Sequence, residues 1–248
     1  MVMKRVGWQV FLGGSLLALS ALVYGIQYLI FRDARSIFYY IFQDFAFVFV
    51  EVLLVTMIIH ALLKEREKSQ RLEKLNMVIG AFFSEVGTLL LTYLSDFDPN
   101  LDRIRGELMV SGAWSDKEFS KVTERLRSYD YGVDVTRVDL SQLRAFLLGK
   151  REFLLRLLEN PNLLEHESFT ELLRAVFHLT EELALREDVA CLPKSDCHHL
   201  DGDARRVYTQ LALQWLSYMK YLKTNYPYLF SLAIRTNPFD QTSSAIIS

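Results

Sequence analysis

"FQDFAFVFVEVLLVTMIIHALLKEREK", Phe42–Lys68, sets the architecture of this chain. Up to Leu63 it reads as a helix made for lipid, and from Lys64 it turns abruptly into alternating charge. Extended back to Ile37, the apolar stretch exceeds the ~20 helical residues that cross a hydrocarbon core. It nevertheless carries three ionisable side chains: Asp44, Glu51 and His60. Val6–Phe31, just upstream, is equally apolar and carries no charge.

These two stretches explain the composition. Hydrophobic residues make up 51% of the 248 and charged residues 23%, with a mean hydropathy of +0.13. Such figures coexist when the apolar residues are concentrated in one region. The balance of 28 Lys+Arg against 30 Asp+Glu lacks the basic excess of a nucleic-acid footprint, so no nucleic-acid partner is expected. Only 11 Gly and 5 Pro interrupt the chain, and no internal repeat is found. Scarce breakers and long apolar-periodic segments predict an all-α protein.

The spans about 6–31 and 37–63 predict a two-helix transmembrane hairpin over residues 1–63. Val6–Phe31 follows a basic start, but it is about twice as long as the ~7–15-residue core of a signal peptide, and a second span follows at once. It is therefore read as an uncleaved anchor. The connector Arg32–Ser36 is short, which makes the helices antiparallel. Lys4 and Arg5 precede the hairpin; Lys64, Arg66, Lys68, Arg71 and Lys74 follow it. By the positive-inside rule both ends face the cytoplasm. The expected location is a bacterial-type inner (plasma) membrane, with N-terminus and C-terminal domain cytoplasmic and the lipid bilayer as first partner.

Small residues recur along the first span at Gly7, Gly14, Ala18, Ala21 and Gly25, all on one helical face. Such residues let helix backbones approach closely in lipid, so this is a candidate packing face toward span two or another copy. In span two, Asp44 and Glu51 are seven residues apart and share a face, with Gln43 adjacent. Asp44 and His60 lie near the two membrane boundaries; Glu51 is deep. A charge at mid-membrane costs between ~2.5 and more than 10 kcal/mol, so its carboxyl is protonated, paired or in contact with water. Two readings stand. Glu51 bonds across a helix interface within a homo-oligomer, or the Asp44/Glu51 face lines a cation path.

Residues 64–240 predict a cytoplasmic helical domain, with a long connecting helix over 64–95 and a bundle over 99–236; 241–248 is a tail. Met77–Leu94 turns apolar again but contains Ser84, Glu85, Gly80 and Gly87, and is read as a buried core helix, with a third span as the alternative. Helix starts are placed at Pro99, at the capping-box pairs Ser115/Glu118 and Ser168/Glu171, at Asp139 with Gln142, at Asp201 or Gly202, and at Pro227. The tail is either loose or docked by Phe239 and Ile246–Ile247.

Chemistry is sparse. No phosphate-binding Gly loop, G-x-S-x-G or H-E-x-x-H occurs, and the chain leans away from being an enzyme. "CLPKSDCHH", Cys191–His199, holds both cysteines and two of the five histidines, and is read as a loop between helices. Thiolate and imidazole are zinc ligands, so Cys191, Cys197, His198 and His199 are candidate ligands for zinc or another metal, with His178, Asp196 and Asp201 as possible additions. The spacing departs from standard zinc sites. An incidental surface loop and a redox pair are the other readings. His178 reads as packing, and Glu181–Glu182 as a solvated helix face. The function expected is a structural or interaction role through self-assembly, with a possible cytoplasmic protein partner. The alternatives are an oligomeric cation channel or transport accessory, and a metal or redox sensor.

Overall fold

A computed structural model describes residues 2–163, 166–244 and 246, with side chains from Phe11 onward except that of Asn162. Every element among the described residues is helical. The chain divides into two compact units, Met1–Lys68 and Ser69–Ser248.

The first unit holds α1 (Val2–Phe31) and the first part of α2 (Ala34–Phe82). Both are long and apolar enough to cross a membrane, and neither apolar window has a buried residue. Only Arg32 and Asp33 separate the helices. Arg32 adopts φ 48°, a left-handed position that closes helices, and its N–H donates to the Tyr28 carbonyl at 2.9 Å. Asp33 then caps α2: Oδ1 accepts from the Arg35 and Ser36 amides, and Oδ2 from the Ser36 hydroxyl. Those hydrogen bonds hold the Asp33 carboxyl below the usual carboxylate range. Two residues thus reverse the chain, a tighter connection than the five-residue link expected from the sequence.

The second unit begins within α2, where Leu75, Ile79 and Phe82 are buried. One π-helical turn, Phe83–Gly87, follows, and then α3 (Thr88–Asp96). Gly87 has a specific cause: a Cβ there would lie 2.7 Å from the rings of both Phe82 and Phe83. Those rings are committed elsewhere, Phe82 edge-on to Phe169 and Phe83 stacked on Tyr218. Met77–Leu94 therefore presents core residues, with Phe82, Phe83, Val86, Leu90, Leu91 and Leu94 all buried.

No α-helix starts at Pro99. The Asp98 carboxylate caps a turn instead, accepting from the Asn100 amide and from the Tyr129 hydroxyl at 2.7 Å, and short 3-10 segments follow. The later elements are α4 (Asp116–Arg127), α5 (Leu140–Gly149), α6 (Arg151–Leu158), α7 (Glu167–Leu185), α8 (Lys194–Asn225) and α9 (Pro227–Arg235). Ser115 and Glu118 form the expected reciprocal capping box on α4, and Asp139 caps α5 by accepting from the Gln142 amide. The helix that Asp139 starts ends at Gly149, and Lys150 alone separates α5 from α6. Ser168 is not a cap: His166 holds that position, its Nδ1 accepting from the Phe169 amide at 3.3 Å.

α7 and α8 form the centre of this unit. α3, α4 and α9 pack on α8, while α5 and α6 pack on α7. Phe169, Leu172, Leu173, Val176, Leu179 and Leu183 form the buried stripe of α7. Leu200, Ala204, Val207, Leu211, Trp215 and Met219 form that of α8. The chain after α9 folds back: Asn237 donates to the Leu108 carbonyl, and Phe239 is buried against Trp215. Ile246 is exposed, and Ile247 lies outside the described residues.

Two substitutions test these packing assignments by urea unfolding of the full chain in mild detergent. Gly87→Ala is expected to lower stability by roughly 1–3 kcal/mol, the range for overpacking a filled core. Ser115→Ala, which removes the α4 cap, is expected to cost about 1 kcal/mol. An unchanged midpoint in either variant would contradict its assignment.

Candidate functional site

Two imidazoles and two carboxylates converge between α7 and α8. The helices run antiparallel, as the residue pairs linking them show: Gln214 donates to Ser168 at one end, and Arg186 to Asp196 at the other. On α7, His178 and Glu182 are one turn apart, beside the buried stripe. On α8, His199 and Asp203 repeat the same spacing. Residues four apart share a helix face, so each helix turns one imidazole and one carboxylate toward the other.

The distances are short and even. His178 Nε2 and His199 Nε2 each lie 3.4 Å from Asp203 Oδ2. Glu182 sits opposite, with Oε1 3.8 Å from His178 Nε2 and Oε2 3.6 Å from His199 Nε2. One donor atom from each of the four side chains falls within 4.8 Å of all the others. Asp203 is buried, Glu182 is partly buried, and the two imidazoles are about half exposed. The group therefore opens to solvent on its histidine side.

Arg186 organises the surroundings. Its guanidinium grips Asp196 with two hydrogen bonds, at 2.6 and 2.7 Å, and donates to Glu182 Oε2 at 2.7 Å. Those bonds hold both carboxyls below the usual range. They leave Glu182 Oε1 free to face His178, while Oε2 lies between Arg186 and His199. On the other side, Arg206 donates to Asp203 Oδ1 at 3.2 Å.

The four candidate ligands expected from the sequence are not brought together. Residues Cys191–His199 are not one loop, because α8 starts at Lys194, after Pro193, and runs through Asp201 and Gly202 without a break. Of the four expected ligands, only His199 joins the group. Cys191 is exposed in the linker. Cys197 is half-buried, with Sγ 3.9 Å from the Leu192 carbonyl. Both thiols are free, and they line a separate hollow with Val138 and Val189. His198 precedes His199 by one residue, about 100° round the helix, and is outside the group. His178 and Glu182 are brought in instead of serving as packing and solvated face. The signal was present in the sequence as two copies of His-x-x-x-acid, but placing the helix start at Asp201 split the second copy.

In the hairpin, Asp44 has a defined partner: the Tyr24 hydroxyl of α1 donates to its Oδ2 at 3.2 Å. Gln43, Glu51 and His60 are exposed, and no partner for Glu51 is found among the described residues. The small-residue face of α1 is uncovered. A Cβ at Gly14 or Gly25 would meet nothing within 4 Å, and Ala18 and Ala21 are exposed. Gly7 lies among residues whose side-chain surroundings are outside the described set.

Comparison with known proteins adds a family to this geometry. Residues 71–235 match the family described as "Uncharacterized protein MJ1433, C-terminal helical domain", and residues 3–63 match "MJ1433, N-terminal helical domain". The chain is 51% identical over 231 residues to "Uncharacterized protein MJ1433" of Methanocaldococcus jannaschii, covering 93% of each chain. No solved structure matches. The boundary between the two family regions, at 63–71, coincides with the division between the compact units at Lys68, and the chain belongs to the MJ1433 family of two-part helical proteins.

Proposed function

We propose that this chain is an integral plasma-membrane protein that self-assembles through its N-terminal hairpin and holds a helical domain at the cytoplasmic face. The observation that carries this reading is the bare apolar surface of the first unit. Side chains such as Leu17, Phe31, Phe42, Phe49 and Leu62 are all exposed, and neither apolar window contains a buried position. A side chain of this size forgoes roughly 1.5–3 kcal/mol when left in water. Ten of them would forfeit more than the ~5–15 kcal/mol that holds a domain together. The surface needs a cover, and lipid is the cover that fits its length.

Two further features support the details. The small-residue face of α1 is not spent on α2, which leaves it available to a second copy. Five basic residues, Lys64, Arg66, Lys68, Arg71 and Lys74, follow the hairpin against two, Arg32 and Arg35, in its connector, which supports a cytoplasmic position for the second unit.

The native chain is expected to stay with membranes through alkaline carbonate extraction and to run as one defined oligomer in mild detergent. Gly14→Ile with Ala18→Ile should convert that oligomer to smaller species without loss of helix content. Release by carbonate, or a monodisperse native monomer, would overturn the reading. Topology is checked separately with Cys191 in a Cys197→Ser background. A membrane-impermeant maleimide should label it only after the cells are opened; labelling of intact cells would place the domain outside.

A further inference from the structure

The group between α7 and α8 has a role that membrane anchoring does not require. Asp203 is 5% exposed, and its Oδ2 is fully buried with no hydrogen-bond partner. An orphaned buried carboxylate oxygen is costly and calls for an explanation. Its neighbours are the two imidazole nitrogens at 3.4 Å, longer than a well-formed hydrogen bond. The spacing suits another purpose. A tetrahedral ion with bonds of about 2.0–2.1 Å places its ligand atoms roughly 3.3–3.4 Å from one another. The two Asp203 separations match that edge length, while Glu182 comes within a few tenths of an ångström of it through a different oxygen on each side, Oε1 to His178 at 3.8 Å and Oε2 to His199 at 3.6 Å.

We infer that His178, Glu182, His199 and Asp203 form a binding site for a divalent transition-metal ion of the zinc class. The donor set selects the class. Calcium and magnesium take oxygen ligands, whereas paired imidazoles suit the borderline metals. Two carboxylates balance the charge of a divalent ion. Asp203 Oδ2 gains the partner it lacks, and Glu182 Oε1 is the oxygen that Arg186 leaves open. Arg186 and Arg206, each hydrogen-bonded to a ligand carboxylate, fix the orientations as outer-shell partners do at known metal sites. The half-exposed imidazoles provide the entry path and leave room for a water on the ion. Because two ligands come from each helix, the ion joins α7 to α8. The competing account is a network of protonated histidines and carboxylates, which holds no metal.

The test uses the full chain in mild detergent, stripped with a chelator and titrated with zinc alone. One zinc per chain is expected by elemental analysis. His178→Gln and His199→Gln, at half-exposed positions, should each weaken binding at least tenfold while the circular dichroism of the helices stays unchanged. Cys191→Ala with Cys197→Ala should leave zinc binding intact. Cobalt in place of zinc should give visible bands without the near-ultraviolet charge-transfer absorption of a thiolate ligand. No zinc binding by the native chain, or undiminished binding in both histidine variants, overturns the inference in favour of the ionic network. Loss of zinc in the cysteine variant, or a thiolate band with cobalt, overturns it in favour of a site in the linker.

Discussion

Burial of the α7 stripe against α8 is the interaction on which the helical domain depends. Phe169, Leu172, Leu173, Val176, Leu179 and Leu183 are at most 1% exposed. At roughly 1.5–3 kcal/mol for each such side chain, the stripe outweighs any ion pair on the same helices, since exposed pairs contribute about 0–1 kcal/mol. Packing therefore holds the two helices together, and the Arg186 bonds to Asp196 and Glu182 fix how they are aligned. The remaining helices are accessories to this pair. α5 and α6 cover α7, and α3, α4 and α9 cover α8.

The two units dispose of their apolar residues in different ways. In the second unit, apolar residues recur at helical spacing and meet one another. In the first they surround the helices, and none in the apolar windows is buried. A polar group in such a setting keeps its place by finding a partner, as Asp44 does with Tyr24. Glu51 has none within the described chain, and under the proposed assembly a neighbouring copy would supply either a donor or a route to water.

Local chemistry was legible in the sequence wherever a few adjacent residues determine it. Ser115 with Glu118, Asp139 with Gln142, and Pro227 at the first turn of α9 all signal through bonds made within one helical turn. The π turn at Phe83–Gly87 was not legible, because Gly87 is required by rings held in place by Phe169 and Tyr218, far along the chain. The start of α8 was misplaced for a related reason. Gly202 reads as a place for a helix to begin, yet α8 starts just after Pro193, and tertiary packing of Leu200, Ala204 and Val207 carries it through Gly202. Half of the His/acid group, His178 and Glu182, lies one turn apart on a single expected helix, although the sequence alone assigns them to packing and to a solvated face. The other half depended on that misplaced start, and their convergence depended on an antiparallel pairing that no local motif encodes.

Gly202 has a further consequence. It sits inside α8 between His199 and Asp203, and a Cβ there would meet nothing within 4 Å, so no close contact explains the glycine. Glycine in a helix interior costs about 1 kcal/mol relative to alanine. The opening turns of α8, held at their start by the Arg186 grip on Asp196, are thereby the least self-sufficient part of the longest helix in the second unit. Backbone amides there should exchange with solvent sooner than those around Leu211 and Trp215, where Leu211, Ala212, Gln214, Trp215 and Leu216 are all buried. The helix combines a soft entrance with a rigid body, and the imidazole of His199 belongs to the soft part while the stripe it flanks belongs to the rigid one.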